Sequence, residues 1–177
     1  MNHLIVGLGN PDKEYHNNRH NVGFLFLDFI VNQEGIKEKF LFNKDFSGEI
    51  LKHDNLFLLK PSTYMNNSGL SVKKVINFYK NSFEEVTIVY DDLDILFKQF
   101  KIGDKSPRGH NGIKSILSHI DNINIRNIRI GVENRFNRDL INGADYVLDN
   151  FTKDEMYYLL NTLFPQIYIE IKNIYSE

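Results

Sequence analysis

The chain has no cysteine among its 177 residues, an absence that removes disulfides, thiolate metal sites and a cysteine nucleophile at once. A reducing compartment is compatible with it. Long hydrophobic runs are also missing: the longest, Phe24 to Val31, is interrupted by Asp28 and falls far short of a bilayer span. The opening Met1-Asn2-His3 carries no basic leader. The expectation is a soluble, cytoplasmic protein without membrane contact. No linker, repeat or low-complexity tract divides the sequence, so residues 1–177 read as a single domain, long enough to bury a core without staples.

Charge is nearly balanced overall, at −2, but unevenly placed. Between Lys101 and Arg138 stand eight basic residues (Lys101, Lys105, Arg108, Lys114, Arg126, Arg129, Arg135, Arg138) against Asp104, Asp121 and Glu133, a local +5 that leaves −7 for the remainder. Such a window is either a basic face for a polyanion or ordinary solvated charge, and counting does not separate the two.

The apolar pattern is that of an α/β protein. Strands are predicted at His3-Leu8, Phe46-Leu51, Leu56-Lys60, Val86-Tyr90, Phe97-Ile102 and Ile125-Val132. Helices are predicted over Ser68-Tyr79, with Val72, Val75, Ile76 and Tyr79 on one face, and over Gly112-Ile120, with Ile113, Ile116, Leu117 and Ile120. Val22-Gln33 is apolar almost all round, as in a helix buried between sheet and neighbours, and ends at Gly35. The tail from Thr152 has helical spacing with a kink or break at Pro165. The pair Phe46-Leu51 and Leu56-Lys60, turned by His53-Asp54-Asn55, makes the sheet mixed. The fold class is α/β, a single domain with a mixed twisted sheet flanked by helices on both faces.

Four polar motifs each follow a strand or open a helix, where open α/β sheets gather their chemistry. The first is Gly7-Leu8-Gly9-Asn10-Pro11, followed by Tyr15 and by Arg19-His20-Asn21-Val22-Gly23. The others are Pro61-Ser62-Thr63-Tyr64-Met65-Asn66-Asn67-Ser68-Gly69, Asp91-Asp92-Leu93-Asp94 and Gly109-His110-Asn111-Gly112. Gly7-Leu8-Gly9 after a strand also begins a dinucleotide fingerprint. That reading fails, because Asp12 holds the third glycine position, Pro11 interrupts the turn, and Tyr15 to Asn21 are too polar to open a helix on a sheet.

Each motif has a bland alternative. Asn66 or Ser68 could cap the helix that follows, and Asn111 could cap Gly112-Ile120. Asp91 to Asp94 could be a solvated turn. A lone His20 is more often a satisfied or surface histidine than a catalyst. No serine sits in a nucleophile elbow, and His16 and His20, although four apart, lie in no helical pattern. The reading therefore has no metal, no cofactor and no covalent intermediate.

The four motifs, in this order, resemble the bacterial peptidyl-tRNA hydrolase family across nearly the whole chain. That family's first signature reads roughly Gly-Leu-Gly-Asn-Pro-Gly, a Tyr, then Thr-Arg-His-Asn and a Gly; here Asp12 stands for the last Gly of the first block and Asn18 for the Thr. The resemblance implies hydrolysis of the ester between a peptide and the 3′ ribose of tRNA, with His20 as general base for water and Asp91 as its orienter. It implies that Asn10 helps distinguish an N-blocked aminoacyl group from a free one, and that Asn66 and Asn111 hold substrate and water. Tyr15 and Tyr64 match contacts to the tRNA end, where a ring could stack on an unpaired base. Lys101 and Arg129 match cations near tRNA phosphates, which position without reading sequence. Asp92 and Asp94 read as structural or exposed. The loop Gly103 to Arg108 replaces a usual glycine-rich stretch and could add Lys105 and Arg108 to the phosphate-facing set.

The implied partner is the acceptor end of peptidyl-tRNA rather than DNA, and the implied state is a monomer. Two rivals use the same residues differently. A non-catalytic RNA-binding protein on this scaffold would have no need of a base and its orienter together. A hydrolase of small esters or amides would not need the basic window. Water activated by His20 and attack assisted by the substrate's own 2′ hydroxyl draw on the same residues.

Overall fold

Leu4 and Val6 belong to one buried layer and Ile5 to the other, the alternation that a central strand imposes on its neighbours. The structure is a computed structural model and describes residues 2–79, 82–103, 109–121 and 123–175. Its strands are β1 (Asn2–Gly7), β2 (Leu41–Asn43), β3 (Gly48–His53), β4 (Leu56–Pro61), β5 (Phe83–Leu96), β6 (Phe100–Gly103) and β7 (Asn124–Glu133). They form one seven-stranded sheet in the order β2-β3-β4-β1-β5-β7-β6. β1 is parallel to β4 and β5, and β5 to β7, whereas β2, β3 and β4 run antiparallel, as do β6 and β7. The mixed sheet is the one expected.

Helices α1 (Val22–Gln33) and α6 (Phe164–Tyr175) cover one face, packing Phe26, Phe29, Phe164 and Ile167 on Ile5, Leu58, Val89 and Ile128. Helices α2 (Ser68–Phe78) and α3 (Asn111–His119) cover the other, packing Val72, Val75, Ile113 and Ile116 on Leu4, Val6, Leu59 and Ile88. α1 stops as expected: Gly35 adopts φ 62°, the left-handed conformation that ends helices without a Cβ penalty. Among the described residues no helix is long and apolar enough to cross a membrane.

α1 lies directly on the sheet. A Cβ on Gly23 would meet the Val89 carbonyl oxygen at 2.3 Å and the Leu8 nitrogen at 2.5 Å, and one on Gly7 would meet the Gly23 oxygen at 2.5 Å. The two motif glycines thus allow the start of α1, and the turn preceding it, to sit over the ends of β1 and β5. Gly23→Ala is expected to destabilise the fold by about 1–3 kcal/mol through overpacking and to reduce turnover, since His20 lies three residues upstream. A denaturant midpoint and a turnover rate both equal to the parent's would show that this contact is slack.

Four sequence expectations are corrected. β5 does not end at Tyr90 but runs to Leu96, with a register shift between Asp92 and Leu96, so the acidic motif lies within a strand instead of a turn. Because β5 is long, Leu96 to Gln99 form the tight turn, Lys98 takes φ 75°, and pairing resumes only at Phe100 instead of Phe97. β3 starts at Gly48, because Phe46 instead buries its ring against Phe78 and Tyr79. Pro165 breaks nothing: α5 (Lys153–Tyr158) passes through a π turn, Leu159–Leu163, into α6. There the Phe164 N–H reaches back five residues to Leu159, so the helix is already widened where proline lacks its donor. Strand β2, short and largely exposed, went unpredicted. A short helix α4 (Gly143–Tyr146) precedes α5.

Candidate active site

His20 sits on the single 3-10 turn Arg19–Asn21 that leads into α1. Its backbone is pinned on the far side: His20 N donates to Val147 O at 2.8 Å, Arg19 N to Asp149 O, and Phe151 N to Asn17 O. The Arg19 guanidinium is buried 4.1 Å over the Tyr146 ring and paired with Glu155 at 2.9 Å, while Glu155 completes a capping box with Thr152 at the start of α5. Burial opposes the Glu155 charge, but hydrogen bonds from Asn134 and the Thr152 amide, together with Arg19, hold its carboxyl below the usual range. The motif arginine is therefore a fastener between the His20 turn and the C-terminal helices.

Asp91 comes from the middle of the sheet. Its neighbour in β7 is Ile130, its side chain is only 3% exposed, and its Oδ1 accepts two imidazole donors, His20 Nδ1 at 2.7 Å and His110 Nε2 at 3.1 Å. Burial alone would raise the Asp91 pKa; the two histidines outweigh it and depress the carboxyl well below its ordinary value. For His20, burial works against the charged ring, but the Asp91 charge and hydrogen bond prevail and raise its pKa above 6.5. His20 keeps 16% of its side-chain surface exposed, into a cleft.

His110 was not among the sequence-predicted site residues. It caps α3 with Nδ1, which accepts from Ile113 N at 3.4 Å, so Nε2 carries the proton given to Asp91. Its ring packs 4.9 Å from Tyr90 and 5.2 Å from His20. The only signal in the sequence was its place beside Asn111; that it meets Asp91 is a tertiary contact between the start of α3 and β5. His20, Asp91 and His110 present ligand-type atoms within 4.8 Å of one another, a spacing compatible with a metal ion. The donor set does not favour one, because a cation there would displace both imidazole hydrogen bonds to Asp91 and the cap on α3 fixes the His110 tautomer.

A cleft of about 640 Å³ collects Asn10, His20, Tyr64, Asn66, Asp91 and Asn111. Asn10 is held through its backbone by a reciprocal pair with the Asn21 carboxamide (2.9 Å each way), and its Oδ1 accepts from Met65 N at 3.1 Å. The capping alternatives do not hold: Asn67 and His110 occupy the cap positions of α2 and α3, and Ser68 Oγ donates to Met65 O. The Asn66 and Asn111 carboxamides are exposed and have no hydrogen-bond partner among the described residues. The same cleft is also lined by the apolar side chains of Leu93, Ala144, Val147 and Leu148.

Three predicted site residues do not line that cleft. Tyr15 lies half-buried on the 3-10 turn Lys13–Tyr15. Lys101 and Arg129 are cross-strand partners on β6 and β7, at the sheet edge. Lys101 is exposed, but Arg129 donates to Asp92 Oδ2 at 2.6 Å, and Asp92 also accepts from Asp94 N. The +5 window is thinner than its count. Arg126 pairs with Glu85, and Arg135 and Arg138 share Glu133, so among its described residues only Lys101 and Lys114 have no carboxylate partner. Lys105 and Arg108 lie outside the described residues. Lys114, one turn after Asn111, shares a shallow depression with Asn66, Asn111, Ser115 and Ser118, and was not singled out from the sequence.

The chain is similar to known proteins over nearly its whole length. A peptidyl-tRNA hydrolase of Exiguobacterium sibiricum is 38% identical over 167 residues, 93% of this chain and 89% of that protein. One from Clostridium botulinum is 44% identical over 157 residues, 86% of this chain and 78% of the relative. The crystal structure of peptidyl-tRNA hydrolase from Acinetobacter baumannii matches with a TM-score of 0.74 at 29% identity, covering 96% of this chain and 94% of that one. With the Peptidyl-tRNA hydrolase family matching residues 4–177, the chain belongs to that family of ester hydrolases.

Proposed function

We propose that this hydrolase cleaves the ester between the peptide and the 3′ ribose of tRNA with His20 as general base and Asp91 as its orienter. The observation that carries the reading is the 2.7 Å bond from His20 Nδ1 to a buried carboxylate, which leaves Nε2 free to take a proton from the attacking oxygen. Asp91 fixes that tautomer and offsets the imidazolium that forms, and His110 holds Asp91 from the other side. The enzyme acts as a one-domain monomer in the cytoplasm, recycling tRNA during translation.

Substrate contacts divide between the polar and the apolar lining residues. Asn66 and Asn111, unpaired, offer both donors and acceptors to peptide groups and ribose hydroxyls. Asn10 spends Oδ1 on Met65 and keeps its Nδ2 donors; a carbonyl of an N-blocked group satisfies them, whereas a free α-ammonium brings only donors of its own. The acyl side chain lies against Leu93, Ala144, Val147 and Leu148. Tyr64, a residue 52% exposed that lines the cleft, takes an unpaired base of the tRNA end, with Tyr15 beside it. Phosphates follow Lys101 and Lys114, with Arg129 as a partner whose charge is shared with Asp92.

Lys101→Ala with Lys114→Ala is expected to raise KM for N-acetyl-aminoacyl-tRNA and to flatten its salt dependence by about 0.7–0.9 in log–log slope per lost phosphate contact. A minimal N-acetyl-aminoacyl nucleotide should be spared. kcat/KM for both substrates across a salt series checks this. Equal losses on the two substrates, or an unaltered slope, would place the phosphates elsewhere. A parent enzyme that turned over small esters as well as the tRNA substrate would sink the reading of its substrate.

A further inference from the structure

The structure gives Asp12, in the opening motif, a partner across the cleft's edge. The Tyr64 hydroxyl donates to Asp12 Oδ2 at 2.7 Å, joining loops 52 residues apart in sequence. Asp12 stands at the N-cap of the turn Lys13–Tyr15, where an aspartate ordinarily caps with its side chain; here the side chain makes no such bond. Tyr64 is itself unusual. It holds φ 55° and ψ 163°, a conformation that a residue with a Cβ adopts only when its surroundings dictate it. They do so from both sides: Met65 N is held by Asn10, Asn67 N donates back to Tyr64 O, and the ring's far end is tied to Asp12. The Asn10–Asp12 stretch thus grips the Tyr64–Met65 stretch at two points, one partly buried and one exposed.

We propose that Asp12 is a positioning residue for tRNA capture: its carboxylate holds the Tyr64 ring upright at the mouth, ready for the unpaired terminal base. This rests on the reading of Tyr64 as a base platform. Fixing the ring before encounter removes rotamer freedom that binding would otherwise have to freeze. The signature is a change in KM with kcat preserved, because the hydrogen bond touches neither His20 nor Asp91.

Electrostatics alone makes the opposite forecast, which gives the test its sign. Asp12 is a negative charge at a tRNA entrance, so Asp12→Ala and Asp12→Asn would both lower KM if charge were all that mattered. With the tether, Asp12→Ala raises KM for N-acetyl-aminoacyl-tRNA by about threefold to tenfold, the weight of one hydrogen bond. Asp12→Asn keeps an acceptor for the hydroxyl and leaves KM equal to or below the parent's. Tyr64→Phe matches Asp12→Ala, and the double variant is no worse than either single one. kcat for Asp12→Ala and Asp12→Asn stays within about twofold of the parent's, and the minimal nucleotide substrate, which carries the terminal base that Tyr64 meets, shows the same changes in KM. A fall in KM for Asp12→Ala, or additive losses in the double variant, would overturn the tether. Tyr64→Leu separates this from the reading beneath it. If Tyr64→Leu raises KM while Asp12→Ala does not, the base platform stands and the tether falls; if Tyr64→Leu leaves KM unchanged, the platform falls and the tether's role with it.

Discussion

His20→Ala is expected to cut kcat by about 10²–10⁴, the range for removing a general base, while KM for the tRNA substrate stays near that of the parent. The separation follows from the geometry. The His20 side chain is mostly buried and ends in the cleft, and the backbone that carries it is fastened independently through Val147, Asp149 and the Arg19–Glu155 pair. Removing the ring therefore takes away a proton acceptor without releasing the turn. Single-turnover hydrolysis of N-acetyl-aminoacyl-tRNA beside a filter-binding isotherm checks both halves. Near-full turnover in the variant would remove His20 from the chemistry, and a parallel collapse of affinity would mean that it binds instead of reacting.

Asp91→Asn comes second in size, with turnover reduced about a hundredfold or more at neutral pH, because an amide neither secures the Nδ1-protonated tautomer nor offsets the imidazolium. The loss also depends on pH in a definite direction. In the parent, Asp91 raises the His20 pKa above 6.5, so the active, neutral base appears only as pH climbs through that value. Without the charge, burial is left unopposed and the ionisation moves to lower pH. The parent-to-variant ratio should accordingly shrink as pH falls, since the variant's base is free where the parent's is protonated. An acidic limb that stays in place would mean that Asp91 does not govern His20.

The same pair links stability to pH with opposite signs at its two ends. His20, with its folded pKa raised, stabilises fully below its unfolded value near 6.5 and loses that contribution as pH rises through the folded value. Asp91, with its pKa depressed, contributes above its unfolded value near 3.8 and loses it only in strong acid. The charged pair is thus most stabilising between those limits, where the base is least active. The stability difference between parent and Asp91→Asn should narrow as pH rises past the kinetic limb, and a constant difference in melting curves would contradict the linkage.

Strands with alternating or continuous apolar residues were legible in the sequence because burial imposes the period directly: β1, β4 and β7 stand within a residue or so of where the pattern put them. So were α1, α2 and α3, whose stripes face two separate core layers. The end of β5 was not legible. Asp91 and Asp92 are poor strand formers, and what keeps them in the sheet is two histidines and Arg129 arriving from distant segments. The same blindness hid His110 and inflated the basic window, because Glu85 and Asp92, which neutralise two of its arginines, lie outside it in sequence. His20, Asp91, Asn10, Tyr64, Asn66 and Asn111 were singled out through motif order, and one cleft gathers all six. Tyr15, Lys101 and Arg129 carried equal motif support yet stand apart from it, since motif order says nothing of which wall a residue lines.

On the proposed mechanism one ionisation, that of His20 set by Asp91, turns the enzyme on. Its most direct measurement is the NMR titration of the His20 ring nitrogens in the parent and in Asp91→Asn, beside the pH profile of kcat/KM for each. The expected result is a neutral ring protonated at Nδ1, a midpoint above 6.5 that coincides with the kinetic limb, and a joint shift of both to lower pH in Asp91→Asn. A His20 titration that fails to coincide with the kinetic limb in either protein, or a His20 midpoint unmoved by Asp91→Asn, would contradict it.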